Sequence, residues 1–145
     1  GKIYKILKKK KIKTPNLISI TSSISKYLKI GDSNFINKKA FIGTLVKIGN
    51  NNIINSGALI EHEVVMGNNN HIAPKSIIGG RVRIGNNVLI GLGCKILPGI
   101  KLCSNTIIGA GSVVTKNILT PATYVGIPAK IIKRKIKKLT KKKIK

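Results

Sequence analysis

An all-β solenoid wound from six-residue repeats is the fold class this sequence predicts, and three observations predict it. The first is an unbroken file of aliphatic residues at every sixth position: Ile18, Ile24, Ile30, Ile36, Ile42, Ile48, Ile54, Ile60, Met66, Ile72, Ile78, Ile84, Ile90, Ile96, Leu102, Ile108 and Val114, seventeen in register. The second is the company these residues keep. Glycine follows many of them (Gly31, Gly43, Gly49, Gly67, Gly79, Gly85, Gly91, Gly109), and a small residue often stands two places before (Ala40, Ala58, Ser76, Ser112). Tight corners need such small, permissive residues. The third is the pair of asparagine runs at 50–52 and 68–70, since Asn tolerates left-handed backbone. A fixed six-residue period marks a parallel β-helix of hexapeptide repeats. Three hexads close one triangular coil, so about five to six coils stack at ~4.8 Å each.

The chain divides into three segments. Residues 1–13 read as the end of a helix with Ile3, Ile6 and Leu7 on one side. Residues 14–120 are the repeat. Residues 121–145 open with a Pro-bounded turn and a short extended piece, Tyr124 to Pro128, and end in a Lys-rich segment. That segment is expected to be helical, with Ile131, Ile132, Ile136 and Leu139 as its apolar side.

The net charge of +25, from 28 Lys and Arg against 3 Asp and Glu, concentrates at the ends. Residues 1–13 hold seven Lys, and residues 129–145 hold ten Lys or Arg. Basic tails can bind polyanions. The heavy joint use of Lys, Ile and Asn is also what AT-rich coding sequence produces. No aromatic interleaving or nucleic-acid motif is present, so nucleic acid is not an expected partner. Cys94 and Cys103 show neither metal spacing nor a disulfide framework, and Cys94 falls on the small, turn-facing slot of its hexad. Reduced thiols and the absence of a secretory signal pattern give a cytoplasmic expectation. No run of 18 apolar residues exists to span a membrane.

The eighteen-residue period also reads the outside. The residue before each inward aliphatic points outward, which gives three files. The first is Phe35, Ile53, His71, Leu89, Ile107. The second is Phe41, Leu59, Ile77, Lys95, Val113. The third is Lys29, Lys47, Val65, Arg83, Lys101, Leu119. Two faces are mostly apolar and one is mostly basic. Long exposed apolar ladders imply a partner, and a triangular prism burying two of its files suits a homotrimer.

Two of the three acids flank one of the two histidines, in Glu61-His62-Glu63. A corner His beside a carboxylate can serve as a general base whose tautomer that carboxylate sets. Eighteen residues on from Glu61 and His62 stand Gly79 and Gly80, which leaves room beside His62. A solvated turn His between two solvated carboxylates is the plainer alternative. His71 lies in the first apolar file, either as a hydrogen-bonded interface residue or as a ligand contact where two subunits meet. It stands half a coil from His62, on a different face. A three-His zinc site would need a third His, so no metal is expected.

The hexads, the segment Ile54 to Glu63, the stretch Asn70-His71-Ile72-Ala73-Pro74, residues 108–114 and the closing Val125 to Lys130 resemble hexapeptide-repeat acyltransferases. The closest similarity is to nucleotide-amino-sugar N-acetyltransferases of the bacillosamine type, grouped with sialic acid O-acetyltransferase-like proteins. The resemblance implies a left-handed parallel β-helix, an exception to the usual right-handed crossover. It also implies a trimer with sites between adjacent subunits and acetyl-CoA as co-substrate. His62 matches the general base and Glu63 its acidic partner. His71 matches a residue that contacts acetyl-CoA, and Leu92 and Ala110 match positions whose backbone lines the pantetheine groove. The implied reaction is acetyl transfer from acetyl-CoA to the amine of a nucleotide-linked amino sugar of the UDP-4-amino-sugar type. The alternatives are O-acetylation of a sialic acid-like hydroxyl, or a noncatalytic β-helix scaffold with polyanion-binding Lys tails. The family normally carries an N-terminal α/β domain that binds the sugar nucleotide, and residues 1–13 look like the tail of such a domain.

Overall fold

A computed structural model describes residues 2–12 and 14–132. An amphipathic helix, α1 (Lys2–Lys9), precedes seventeen two-residue strands that begin every six residues, from β1 (Leu17–Ile18) to β17 (Val113–Val114). Every third strand pairs in parallel with the next, and the column has three sheets. The first runs through residues 17, 35, 53, 71, 89 and 107, the second through 23, 41, 59, 77, 95 and 113, and the third through 29, 47, 65, 83 and 101. This is the left-handed β-helix of hexapeptide repeats, with about six turns.

The inward file is the core. From Ile36 to Val114, fourteen consecutive members of the six-residue series are at most 4% exposed. Ile18 remains 47% exposed, and Ile24 and Ile30 are half-buried, because the first coil has a neighbour on one side only. Each inward Ile contributes about 1.5–3 kcal/mol by leaving water, and in a solenoid that contribution depends on the coils next to it.

The corners work differently from the expectation drawn from the glycines. The glycines that follow the inward aliphatics do not take positive φ. They are required by close approach: a Cβ at Gly31, Gly49 or Gly67 would fall within 3.0 Å of the backbone or an Asn side chain of the next coil. Left-handed backbone falls instead on a separate corner slot. Lys39, Leu45, Glu63, Arg81, Asn51, Asn69, Asn87 and Gly57 all have φ between +54° and +64°. Most side chains lose about 1–2 kcal/mol there.

A buried asparagine ladder, unforeseen in the sequence, stitches one corner. Asn34 Oδ1 accepts from the backbone N–H of Asn52 at 2.9 Å. Asn52 Oδ1 accepts from Asn70 N–H at 2.9 Å, and Asn70 Oδ1 from Val88 N–H at 2.7 Å. Each Asn also donates to a glycine carbonyl fifteen residues on, for example Asn52 Nδ2 to Gly67 O at 3.0 Å. The ladder satisfies corner amides that would otherwise be buried without partners.

The two ends are tied down by different means. Tyr4 Oη donates to Asp32 Oδ1 at 2.8 Å, and the Lys8 ammonium pairs with the other carboxylate oxygen, so α1 is latched to the first full coil. These two donors, Lys8 first and Tyr4 second, hold the Asp32 carboxyl below its ordinary pKa. At the other end β18 (Thr123–Val125) continues the first sheet. It is followed by β19 (Lys130–Ile131), antiparallel to it. The expectation of a helix beginning near Ile131 is corrected here: Ile131 pairs with Tyr124, and Ile132 N–H donates to Thr123 O at 2.8 Å. The chain reverses at residues 126–129 and offers its backbone to a sheet edge, which outweighs the helical spacing. Ile136 and Leu139 lie outside the described residues.

Candidate active site

His62 and Glu63 occupy the corner between β8 (Leu59–Ile60) of the second sheet and β9 (Val65–Met66) of the third. Backbone bonds to both adjacent coils fix this corner. Glu61 N–H donates to Ile78 O at 2.9 Å, Glu63 N–H to Thr44 O at 2.8 Å, and Arg81 N–H to His62 O at 2.9 Å. Gly43, one coil back, allows the fit, since a Cβ there would fall 2.9 Å from the His62 nitrogen.

On this frame His62 Nδ1 and Glu63 Oε2 are 2.9 Å apart. A carboxylate partner makes Nδ1 the protonated nitrogen and leaves the lone pair on Nε2. Both side chains remain a little under half exposed. Glu63 holds its carboxylate in place from the left-handed slot, φ +58°, where glycine sits without strain. The space expected beside His62 exists, but the imidazole itself fills it. A Cβ on Gly80 would fall 2.5 Å from Nε2, 2.7 Å from Cε1 and 3.0 Å from Cδ2. Gly80 is therefore the seat of the ring.

His71, on β10 (His71–Ile72), projects from the first sheet between Ile53 and Leu89. Its Nε2 is 3.4 Å from Asn55 Nδ2. Asn55 Oδ1 is already taken by Asn37 Nδ2 at 3.0 Å and by Ser56 N–H at 2.8 Å, so the amide must turn its NH2 toward the imidazole. That makes Nε2 the acceptor and puts the His71 proton on Nδ1. Asn55 is the partner of His71 that the sequence alone did not single out. Its signal was Asn37, eighteen residues earlier in the same corner column.

Leu92 and Ala110 stack on one corner, between the first and second sheets. Leu92 is 58% exposed, and its carbonyl accepts from Gly111 N–H at 2.8 Å. Gly91 lets the two coils meet, since a Cβ there would be 2.6 Å from Ala110 N. One chain thus brings His62 to Glu63, and Leu92 to Ala110 with His71 nearby on the adjoining sheet. It does not bring the two groups together, because the second sheet lies between them. A groove of about 910 Å³ beneath α1, lined by Ile3, Tyr4, Leu7, Leu17 and Phe35, shares no residue with either group. Among the described residues no three His, Cys, Asp or Glu side chains are grouped to hold a metal ion. No helix among them is long and apolar enough to cross a membrane.

The bacterial transferase hexapeptide family (six repeats) matches residues 81–116. No curated protein matches the chain in sequence. Solved structures do. A variant of GDP-perosamine N-acetyltransferase from Caulobacter crescentus, in complex with CoA and GDP-perosamine, superposes with a TM-score of 0.90 at 27% identity, covering 92% of this chain and 63% of that one. The acetyltransferase domain of PglB from Neisseria gonorrhoeae, in complex with acetyl coenzyme A, gives 0.87 at 26% identity, covering 90% and 64%. WeeI from Acinetobacter baumannii gives 0.85 at 25% identity, covering 90% and 64%. The chain therefore spans a little under two thirds of the length of these proteins. Repeat, column and structural likeness agree: the chain is a hexapeptide-repeat β-helix similar in structure to acetyltransferases such as GDP-perosamine N-acetyltransferase.

Proposed function

We propose that the protein transfers the acetyl group of acetyl-CoA to the amine of a nucleotide-linked amino sugar, with His62 as general base. The observation that carries this reading is the 2.9 Å contact between His62 Nδ1 and Glu63, which leaves Nε2 as a proton acceptor on a corner of the column. The amine nitrogen attacks the thioester carbonyl, and its proton passes to Nε2. The C–S bond then breaks, and the CoA thiolate leaves and takes a proton from the imidazolium. A neutral imidazole within hydrogen-bond reach of the amine serves as the general base of this step. Glu63 orients the ring and stabilises its charged form.

The two separated groups of residues call for a second copy of the chain. The corner bearing His62 and the corner bearing Leu92 and Ala110 bound the same sheet, the second. A three-fold ring with that sheet toward the axis sets the His62 corner of one copy against the Leu92–Ala110 corner of the next. It also covers Phe41 and Ile77, which are 39% and 40% exposed in the single chain. In this arrangement the neighbour's His71, Leu92 and Ala110 receive acetyl-CoA, and His71 Nδ1–H is available as a donor to it. We place this chemistry in the cytoplasm, in keeping with two unpaired cysteines.

The test is turnover: acetyl-CoA is mixed with UDP- and GDP-linked 4-amino sugars and, in parallel, with sialic acid. Release of free CoA thiol with an amine acceptor supports the proposal. Release with the hydroxyl acceptor alone replaces it with O-acetylation, and release with neither refutes it.

A further inference from the structure

The mechanism above leaves the third sheet unused, and that sheet carries an unusual surface. Its outward residues stack as Lys29, Lys47, Val65, Arg83 and Lys101, paired in register across adjacent strands. The four basic side chains are all exposed. Like charges placed directly opposite one another on a sheet oppose folding. The chain has few means of relieving them. Of its three acids, Asp32 is held by Lys8 and Tyr4, and Glu63 is held by His62. Among the described residues, no ion pair reaches Lys29, Lys47, Arg83 or Lys101. The third acid, Glu61, forms no ion pair among the described residues either, so the row is open to counter-charge from outside the chain.

The position of the row indicates what supplies it. Val65 is two residues beyond Glu63, so the gap in the basic row opens beside the His62 corner. Lys47 and Arg83 sit one strand to either side of Val65, with backbones roughly 10 Å apart, and both side chains are long enough to converge above it. Arg81 adds a fifth cation on the same corner column as Glu63, one coil on. An extended polyanion is a poorer fit. The outward row of the third sheet has no aromatic residue on which bases could stack. It also offers little to a bilayer: Val65, the single apolar member of its strands, is half-buried, and Leu119, the one exposed apolar side chain of this file, lies beyond the last strand of the sheet.

We infer that Lys47 and Arg83, flanking Val65 and aided by Arg81, form a phosphate subsite that holds the diphosphate of one of the two substrates beside His62. This rests on the proposed acetyl transfer, since both substrates of that reaction carry a diphosphate. Arg83 is suited to a bidentate grip on phosphate, and Lys47 supplies a point charge. Which substrate it serves, CoA or the sugar nucleotide, is for the experiment to separate.

The experiment is isothermal titration of the full chain, and of Lys47→Gln, Arg83→Gln and the double variant, with CoA, UDP and GDP. Lys5→Gln on α1 serves as a control with the same change in net charge. Circular dichroism confirms that each variant is folded, as expected for exposed side chains. The inference predicts that each single variant weakens either CoA or the nucleoside diphosphates about tenfold, and the double variant more, while Lys5→Gln matches the parent. Weaker CoA binding assigns the subsite to the co-substrate, and weaker UDP or GDP binding assigns it to the acceptor. Unchanged affinity for all three ligands in the double variant would overturn the inference, as would a parent that binds none of them. So would a salt-sensitive loss confined to a single-stranded RNA probe. Failure of the acetyl-transfer reading shows separately, as binding that is intact and depends on Arg83 but is accompanied by no release of CoA thiol.

Discussion

Gly80 seats the imidazole of His62: a methyl group at residue 80 would lie 2.5 Å from Nε2, the atom proposed to take the substrate proton. Gly80 has no positive φ, so an alanine there is strained only by the ring. Gly80→Ala is expected to lower kcat at least tenfold by displacing the base, with a Tm within about 2 °C of the parent. Steady-state kinetics alongside a thermal melt check this. Full activity in Gly80→Ala would show that the seat does not matter.

Glu63 works from a backbone conformation that favours glycine. Glu63→Gly should therefore stabilise the fold by about 1 kcal/mol while cutting kcat by about two orders of magnitude through loss of the carboxylate. Urea unfolding and kinetics on the same preparation read both effects. A variant that loses activity and stability together would assign Glu63 to the fold.

Asn52 is fully buried in the corner ladder, where it accepts from Asn70 N–H and donates to Gly67 O. Asn52→Ala orphans both groups and is expected to cost roughly 2–6 kcal/mol, at about 1–3 kcal/mol for each unsatisfied buried group. Ile20→Ala, at a side chain 97% exposed, should cost almost nothing. Chemical denaturation of the pair separates the ladder from general surface effects.

The latch on α1 should respond to acid. The Asp32 carboxyl is held below its ordinary value by Lys8 and Tyr4, so its stabilising effect is fully present above the unfolded carboxyl pKa of about 3.9. It is lost as the pH falls through the lower folded value. Hydrogen exchange of the α1 amides should accelerate in Asp32→Asn at neutral pH and should match the parent in strong acid. Equal exchange at pH 7 would show that the helix is held by its apolar contacts alone.

Much of this column was legible in advance because its core is a line. Ile36 through Val114 recur at a fixed interval, so the inward file, the outward files and the three sheets follow from counting. The His62–Glu63 pair was legible because acids are so scarce that two around one His stand out. What could not be read depended on neighbours eighteen residues away. The glycines after each aliphatic looked like turn formers, yet they yield space to the next coil. The inner asparagines looked like corner residues, yet Asn34, Asn52 and Asn70 cap buried amides. The room beside His62 was read from Gly80, but the imidazole fills it. Ile131 and Ile132 looked helical from their spacing with Ile136 and Leu139, yet Ile131 pairs with the edge that β18 presents.

The central claim is that the Nε2 lone pair of His62, set by Glu63, takes the proton of the attacking amine. The most direct measurement is the rate of CoA thiol release from acetyl-CoA and a nucleotide-linked amino sugar in His62→Ala against the parent. His62→Ala is expected to lower kcat about 10²–10⁴-fold, with the column still folded. Turnover in His62→Ala equal to the parent's would contradict it.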